Sequence, residues 1–287
     1  MESTWINAPA KINIGLDVIR RRDDGYHEVK MIMQSIRLFD RLTLEKCEDP
    51  GVHLHTNLRF LPINEDNLVH RAATMLMDEF DIGGGIHIKL DKRIPVAAGM
   101  AGGSTDAASC LLAMNELYDL GLSKKQLMKR GLKLGADIPY CILKGTALSE
   151  GIGEKLSTIP KLPDCYILIV KPNIHVSTKF VYSNLVLDEN TKHPDIDRMI
   201  EAMKKRDLQD LCEHIGNVLE TVTIPAHPEI ASIKQCMMNN GALGSLMSGS
   251  GPTVFGIYDD LDKANYAKEK CRQLPYKCFV FLTDLYR

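Results

Sequence analysis

No uncharged apolar run reaches the ~18 residues that a membrane-crossing helix needs, so no span is expected. A surplus of one charge is missing too. The net charge is −2 over 287 residues, which removes the electrostatic reason to expect nucleic acid or an anionic membrane as partner. The eight cysteines, at 47, 110, 141, 165, 212, 236, 271 and 278, include no Cys-x-x-Cys pair. That argues against a zinc site or a thioredoxin-type motif, and reduced, mostly buried thiols in a cytoplasmic setting are expected. Met1-Glu-Ser-Thr-Trp-Ile-Asn lacks the basic start and apolar core of a secretory signal. There is no internal repeat and no low-complexity tract. What is present is the 45% hydrophobic and 25% charged composition of a soluble globular protein. The length suits one large or two ordinary domains.

The most distinctive stretch is Pro95-Val-Ala-Ala-Gly-Met-Ala-Gly-Gly-Ser-Thr-Asp-Ala-Ala-Ser109. Gly99, Gly102 and Gly103 leave the backbone almost bare, and Ser104, Thr105 or Asp106 could cap the apolar-periodic run that follows. A glycine loop opening into a helix gathers backbone N–H groups at the positive end of a helix dipole, which favours a phosphate. No Gly-Lys-Ser/Thr closes the loop as in a Walker motif, and the glycine spacing breaks a dinucleotide fingerprint. A tightly packed helix–sheet contact through Gly and Ala is the other reading.

Before the loop, Ile12, Ile14, Leu16 and Val18 alternate and predict a half-buried strand. Lys11, Asn13 and Asp17 then share the opposite face, which is either solvated or turned to a ligand. Asp24-Gly25 predicts a hairpin turn, with Tyr26 and His27 where a strand resumes. Val29–Leu44 is a second apolar stretch. Val52 and Leu54, interleaved with His53 and His55, predict a strand whose histidines lie on an exposed face. Asp66 is expected to cap a helix running to about Phe80, and Ile86–Leu90 alternates as a strand.

After the loop, Ser123-Lys-Lys-Gln126 reads as a capping box. Asp137, in Gly135-Ala-Asp-Ile-Pro139, sits where a rigid turn could aim a carboxylate into a cleft, or where an Asp merely steadies the turn. Gly145, Gly151, Gly153, Pro160 and Pro163 suggest a domain boundary, giving domains at 1–155 and 156–287. Beyond it come a strand at Tyr166–Val170, a helix capped by Ser177 or Thr178, and helices near 195–205, 207–220 and 228–240. Two strands follow, joined by a glycine turn at 249–251, then a helix near 261–273 and a last strand at 277–283. Strand, helix, two strands, helix, strand resembles a ferredoxin-like α+β layer.

Lys11 and Asn13, the glycine loop and the turn Ser248-Gly-Ser-Gly-Pro252 stand in an order that resembles the GHMP kinases. That superfamily includes galactokinase, homoserine kinase and mevalonate kinase. The similar stretches are Pro9-Ala-Lys-Ile-Asn13, Pro95 to Ser109, and Leu246 to Phe255, so the likeness spans nearly the whole chain. The middle one departs in having Gly103-Ser104-Thr105 where many members have Ser-Ser. Asp24-Gly-Tyr-His27, Glu65-Asp-Asn-Leu68, Asp91-Lys-Arg-Ile-Pro95 and Leu134-Gly-Ala-Asp-Ile-Pro139 resemble one branch of the family more narrowly. That branch phosphorylates the 2-hydroxyl of a cytidine-diphosphate-linked methylerythritol with ATP, in the non-mevalonate isoprenoid pathway.

The resemblance implies a two-domain α+β fold: an N-terminal domain like one in a ribosomal protein, a ferredoxin-like C-terminal domain, and an active site in the cleft between them. It implies that Asp137 is the base for the acceptor hydroxyl, with Lys11 beside it to keep the carboxylate ionised. It implies that ATP lies on Pro95, Val96, Ala97, Ala98, Gly99, Met100, Ala101, Gly102, Gly103, Ser104 and Thr105, with Asn67 and Lys92 towards the adenine. Ser104 or Thr105 would ligate Mg²⁺. Tyr26, His27, Met33 and Tyr182 would surround the cytosine, and Asn13 would meet the methylerythritol or its phosphates. A monomer or weak homodimer in the cytoplasm is expected, without nucleic acid or membrane as partner. Mevalonate or homoserine kinase activity and a nucleotide- or RNA-binding module are the alternatives; Asp24-Gly-Tyr-His27 argues against the first and the absence of a basic stripe against the second.

Overall fold

The computed structural model describes residues 2–286 and divides into two compact units. The first comprises the chain up to Ala10, Leu38–Val96 and Ala101–Lys144; the second comprises Lys11–Arg37, Ala97–Met100 and the chain from Gly145 onward. Two long strands, β1 (Ser3–Arg21) and β2 (His27–Cys47), pass from one unit into the other.

In the first unit the later part of β2 is followed by β3 (Gly51–Thr56), α1 (Leu68–Glu79) and β4 (Gly85–Asp91). β4 pairs antiparallel with β2, setting Arg41 opposite Asp91, and parallel with β3. Helix α2 (Gly102–Leu117) is buried nearly all round through Ala107, Ala108, Cys110, Leu111, Ala113 and Met114, the mark of a central helix. α1 packs on it through Val69, Ala72, Ala73, Leu76 and Met77. The expected cap of α1 moves by one residue: Asn67, not Asp66, accepts from the Val69 N–H. The Ser123–Gln126 capping box is present and starts α3 (Lys124–Leu134). A short α4 (Ile138–Leu143) follows it.

In the second unit the first part of β2 pairs antiparallel with β5 (Thr146–Gly151), which pairs with β6 (Lys155–Thr158). The Gly- and Pro-rich run at 145–163 therefore carries two strands. Gly145, Gly151 and Gly153 have positive φ and turn the chain at strand ends. Then come β7 (Tyr166–Pro172), α5 (Thr178–Ser183) capped by Ser177, α6 (Ile196–Lys205), α7 (Leu208–His214), α8 (Glu220–Ala226), α9 (Glu229–Asn239), β8 (Gly244–Met247), β9 (Val254–Tyr258), α10 (Leu261–Arg272) and β10 (Cys278–Asp284). The last four strands form an antiparallel sheet in the order β10-β7-β9-β8, with α9 and α10 packed on it. That is the ferredoxin-like layer expected.

One expectation fails and one open reading is decided. The single helix expected over 207–220 is interrupted, and the polar face of β1 is not solvated: Lys11, Asn13 and Asp17 are all buried. The chain between α7 and α8 pairs with β1, Leu16 N donating to Gly216 O at 2.9 Å and Val218 N to Leu16 O at 3.0 Å. α6 covers the same strand. A Cβ on Gly15 would lie 2.8 Å from Ile196 Cδ1 and from Met199 Sδ, so the approach of that helix needs a glycine.

Candidate active site

Three stretches far apart in sequence meet inside the second unit. Ala97 (φ 51°) and Gly99 (φ 69°) are left-handed. Such residues alternating with ordinary ones turn successive N–H groups to one side, an arrangement that receives anions. A Cβ on Gly99 would sit 2.2 Å from Ser248 O, so the loop closes on the second glycine turn only because residue 99 has none. Ser248 Oγ donates to Gly99 O at 2.9 Å, and Lys11 N donates to Met100 O at 3.2 Å. The Lys11 ammonium donates to Asn13 Oδ1 at 2.7 Å, and the Asn13 amide donates to Met31 Sδ at 3.2 Å. Asn13 Oδ1 lies 3.6 Å from where a Cβ of Gly249 would stand. The Lys–Asn pair, the start of the phosphate-type loop and the Ser248 turn are thus one packed cluster.

Asn217, which carries no sequence motif, holds that turn. Its amide donates to Met247 O and Gly249 O, both at 2.8 Å, while its carbonyl accepts from Leu219 N. Glu220 accepts from Met247 N at 2.8 Å and from the Lys234 ammonium at 2.6 Å.

The second unit also contains a cavity of about 850 Å³, large enough for a nucleotide-sized ligand. Tyr26, His27 and Tyr182 line it. The His27 and Tyr182 rings touch, centroids 5.1 Å apart and tilted by 41°, a favourable edge-biased pair. Tyr26 is 61% exposed and held by the Asp24 turn, its N–H donating to Asp24 Oδ1 at 3.1 Å. Burial, helped by the charge of Arg21, lowers the pKa of His27 from the ordinary imidazole value, so the ring is neutral near pH 7 and offers one donor and one acceptor. Met33 is not brought to this cavity: it is fully buried within β2.

In the first unit α2 is capped by Ala101, itself left-handed at φ 55°, and not by Ser104, Thr105 or Asp106. Those three lie in the first turns of the helix. Alanine at positive φ is strained, and Ala97 and Ala101 carry that strain where glycine would have been expected. Ser104 is half-buried; the Thr105 hydroxyl is enclosed and meets no partner. Lys92 is fixed between two carboxylates, Asp40 and Asp106, the latter at 2.6 Å. Burial would depress its pKa, but the two carboxylates outweigh that and raise it. Burial pushes the Asp106 carboxyl well above its usual range against the pull of Lys92. Asp40 also accepts from the backbone N–H of Arg93 and, at 2.8 Å, of Ile94. The cluster ties β2, the chain before the loop and α2 together. Asn67 spends its carbonyl on capping α1 and its amide on Pro62 O at 2.8 Å. Asp137 occupies the N-cap position of α4 without a side-chain capping bond, half-buried, ahead of Pro139.

Sequence reasoning missed Asn217, Glu220, Asp40 and Asp106 as supports, since each acts through partners more than ten residues away.

Among the described residues no helix is long and apolar enough to cross a membrane. Residues 67–145 match the GHMP kinases N terminal domain and residues 199–277 match the GHMP kinases C terminal domain. A protein of Lachnoclostridium phytofermentans named 4-diphosphocytidyl-2-C-methyl-D-erythritol kinase is 54% identical over 286 residues, covering 100% of this chain and 98% of that one. One of the same name from Lachnospira eligens is 49% identical, covering 100% and 99%. A crystal structure of a 4-(cytidine 5'-diphospho)-2C-methyl-D-erythritol kinase superposes with a TM-score of 0.85 at 32% identity, covering 99% of this chain and 100% of that one. Homoserine kinase from Cytophaga hutchinsonii has the same fold, with a TM-score of 0.83 at 18% identity over 99% of this chain and 95% of that one.

Proposed function

The chain belongs to the GHMP kinase family, and from that premise we infer the function of its 4-diphosphocytidyl-2-C-methyl-D-erythritol kinase relatives. The chain is an ATP-dependent small-molecule kinase. It transfers the γ-phosphoryl group of ATP to the 2-hydroxyl of 4-diphosphocytidyl-2-C-methyl-D-erythritol, giving the 2-phosphate and ADP, in the non-mevalonate isoprenoid pathway. The observation that carries this reading is the packed cluster of Lys11, Asn13, the 97–100 loop and the Ser248 turn, in a chain 54% identical over its length to a kinase of that name.

Phosphoryl transfer asks a protein mainly for positioning and charge neutralisation. The left-handed Ala97 and Gly99 and the left-handed cap Ala101 turn backbone N–H groups towards the ATP phosphates. The acceptor hydroxyl gives its proton to Asp137 as it attacks the γ-phosphorus, and the phosphate–ADP bond breaks. The Lys11 ammonium helps orient the acceptor hydroxyl, and Asn13, which accepts from that ammonium, meets the methylerythritol. Tyr26 and Tyr182 receive the faces of cytosine, and neutral His27 reads its polar edge. Mg²⁺ prefers hard oxygens and keeps much of its water, binding through one or two protein oxygens plus phosphates. Ser104, which is half-buried, fits that role better than the enclosed Thr105; the ion would neutralise charge on the phosphates. Lys92 acts at the adenine side only by fixing the chain that leads into the loop. The chain works in the cytoplasm, as a monomer or weak homodimer.

The test is ADP release with ATP, Mg²⁺ and the cytidine-diphosphate-linked methylerythritol, with mevalonate and homoserine as controls. Release with the first alone is expected. Release with mevalonate or homoserine alone overturns the substrate assignment.

A further inference from the structure

Two cysteines of the second unit meet in the helices that pack on its antiparallel sheet. Cys236 lies in α9 and Cys271 in the last turn of α10, and the two helices pack on each other as well as on the sheet. Cys271 Sγ donates to Cys236 Sγ at 3.7 Å, although the residues are 35 positions apart in the chain.

Their surroundings differ in a way that decides their chemistry. Cys271 is 1% exposed. Burial, with the Cys236 sulfur beside it, pushes its thiol well above the usual range, so it stays protonated with its S–H held on Cys236. Cys236 is half-buried and lines a cavity of about 650 Å³ with Ser232, Gln235, Asn239 and Asn240. The Asn240 amide donates to Cys236 O at 2.7 Å and reaches Cys236 Sγ at 3.9 Å. One sulfur is open to a small reagent and the other is sealed behind it. That is the arrangement of an attacking thiol and its resolving partner. A third thiol, Cys278 at the start of β10, is felt at Cys271, but burial pushes it up to about 11.

We propose that Cys236 and Cys271 form a reversible disulfide, closed by hydrogen peroxide entering at the Cys236 cavity. The Cys236 sulfur, as thiolate, attacks one peroxide oxygen and the O–O bond breaks. Cys236 becomes a sulfenic acid, and the departing hydroxide takes up the proton that Cys236 released and leaves as water. The Cys271 sulfur then attacks the Cys236 sulfur and the S–O bond breaks. The Cys271 proton goes to the departing hydroxide, giving a second water. Two thiols lose two electrons and two protons, and one hydrogen peroxide becomes two waters. A dithiol opens the bond again by exchange. An S–S bond is about 2.05 Å long, so closure asks for movement on the scale of side-chain torsions. The bond fastens α9 to α10 and restricts the unfolded chain, which stabilises the folded unit. Its chemistry is independent of the kinase reading.

The test is peptide mapping by mass spectrometry of the folded full chain, treated with hydrogen peroxide and then alkylated. A linked Cys236–Cys271 peptide is expected, lost again on adding dithiothreitol. Its formation should raise the thermal midpoint by several degrees. In Cys271→Ala the Cys236 sulfenic acid has no resolving thiol and is expected to be trapped by dimedone. In Cys236→Ser, changed at a half-buried position, Cys271 is expected to stay unoxidised. Absence of the linked peptide from the folded wild type overturns the proposal, as does a link from either cysteine to Cys278 or between two chains. A midpoint lowered by closure overturns the stabilising role. Oxidation of Cys271 in Cys236→Ser at the wild-type rate overturns the order of attack.

Discussion

Positive charge is used in opposite ways in the two units. In the first, Lys92 is buried and bound on two sides by Asp40 and Asp106. In the second, Arg21 and Lys179 stand at an open cavity with no carboxylate in its wall. A buried ammonium without partners would cost several kcal/mol, so the protein supplies anions of its own. A cation at an open cavity stays in reach of solvent and carries no such penalty. The difference separates charge that is neutralised inside the fold from charge that is left facing open space.

The comparison breaks most visibly if the buried side is disturbed. Lys92→Met leaves two carboxylates facing each other and is expected to cost about 3–5 kcal/mol of stability, read as a fall in the urea midpoint. A midpoint equal to wild type would mean that the cluster does not hold the fold. Asp137→Asn sharpens the contrast between a structural and a chemical carboxylate. It should lower kcat by about 10²–10⁴-fold and leave the urea midpoint in place; near-normal turnover would remove Asp137 from the base role. On the ligand-facing side, Tyr182→Ala should raise KM for the cytidine-linked acceptor by about 5- to 150-fold, the range of a lost base–aromatic stack, with KM for ATP unchanged. Equal rises in both would place Tyr182 outside the acceptor site.

The smallest effect concerns His27 and pH. Burial and the Arg21 charge lower its pKa, so the neutral ring persists to lower pH than a free imidazole. Acceptor affinity carried by that ring should hold through the usual imidazole range and fall only in more acid solution. In Arg21→Gln the fall should move to higher pH, because one of the two causes of the lowered pKa is gone. A midpoint that does not move would show that His27 does not report on Arg21.

Much of the architecture was legible before any coordinate. Alternation at Ile12–Val18 and Ile86–Leu90, the Ser123–Gln126 capping box and the strand–helix pattern after residue 165 are local signals, and each corresponds to an element in place. The errors have local causes too. Asp66 and Asn67 are both good caps, and which one caps depends on the backbone turn before α1, where Asn67 also donates to Pro62 O. Ser104, Thr105 and Asp106 looked like caps because their side chains suit that position, yet the helix begins two residues earlier, behind the left-handed Ala101.

The sequence by itself determined the order of motifs, the two glycine turns, the Lys–Asn spacing on β1 and the family, because these depend on residue type and short spacing. Only the tertiary structure decided that Lys11, Asn13 and Asp17 are buried, since their neighbours come from distant stretches: the 97–100 loop and the Gly249 turn at Lys11 and Asn13, α6 and the 216–218 segment at Gly15 and Leu16, and His193 at Asp17. It alone showed that Met33 turns into the core, that Lys92 is spent on Asp40 and Asp106, and that, among the described residues, Arg21 pairs with no carboxylate while Arg20 and Arg22 do. Burial and charge pairing are sums over neighbours brought together from distant positions, and a linear pattern carries the residues but not their neighbours.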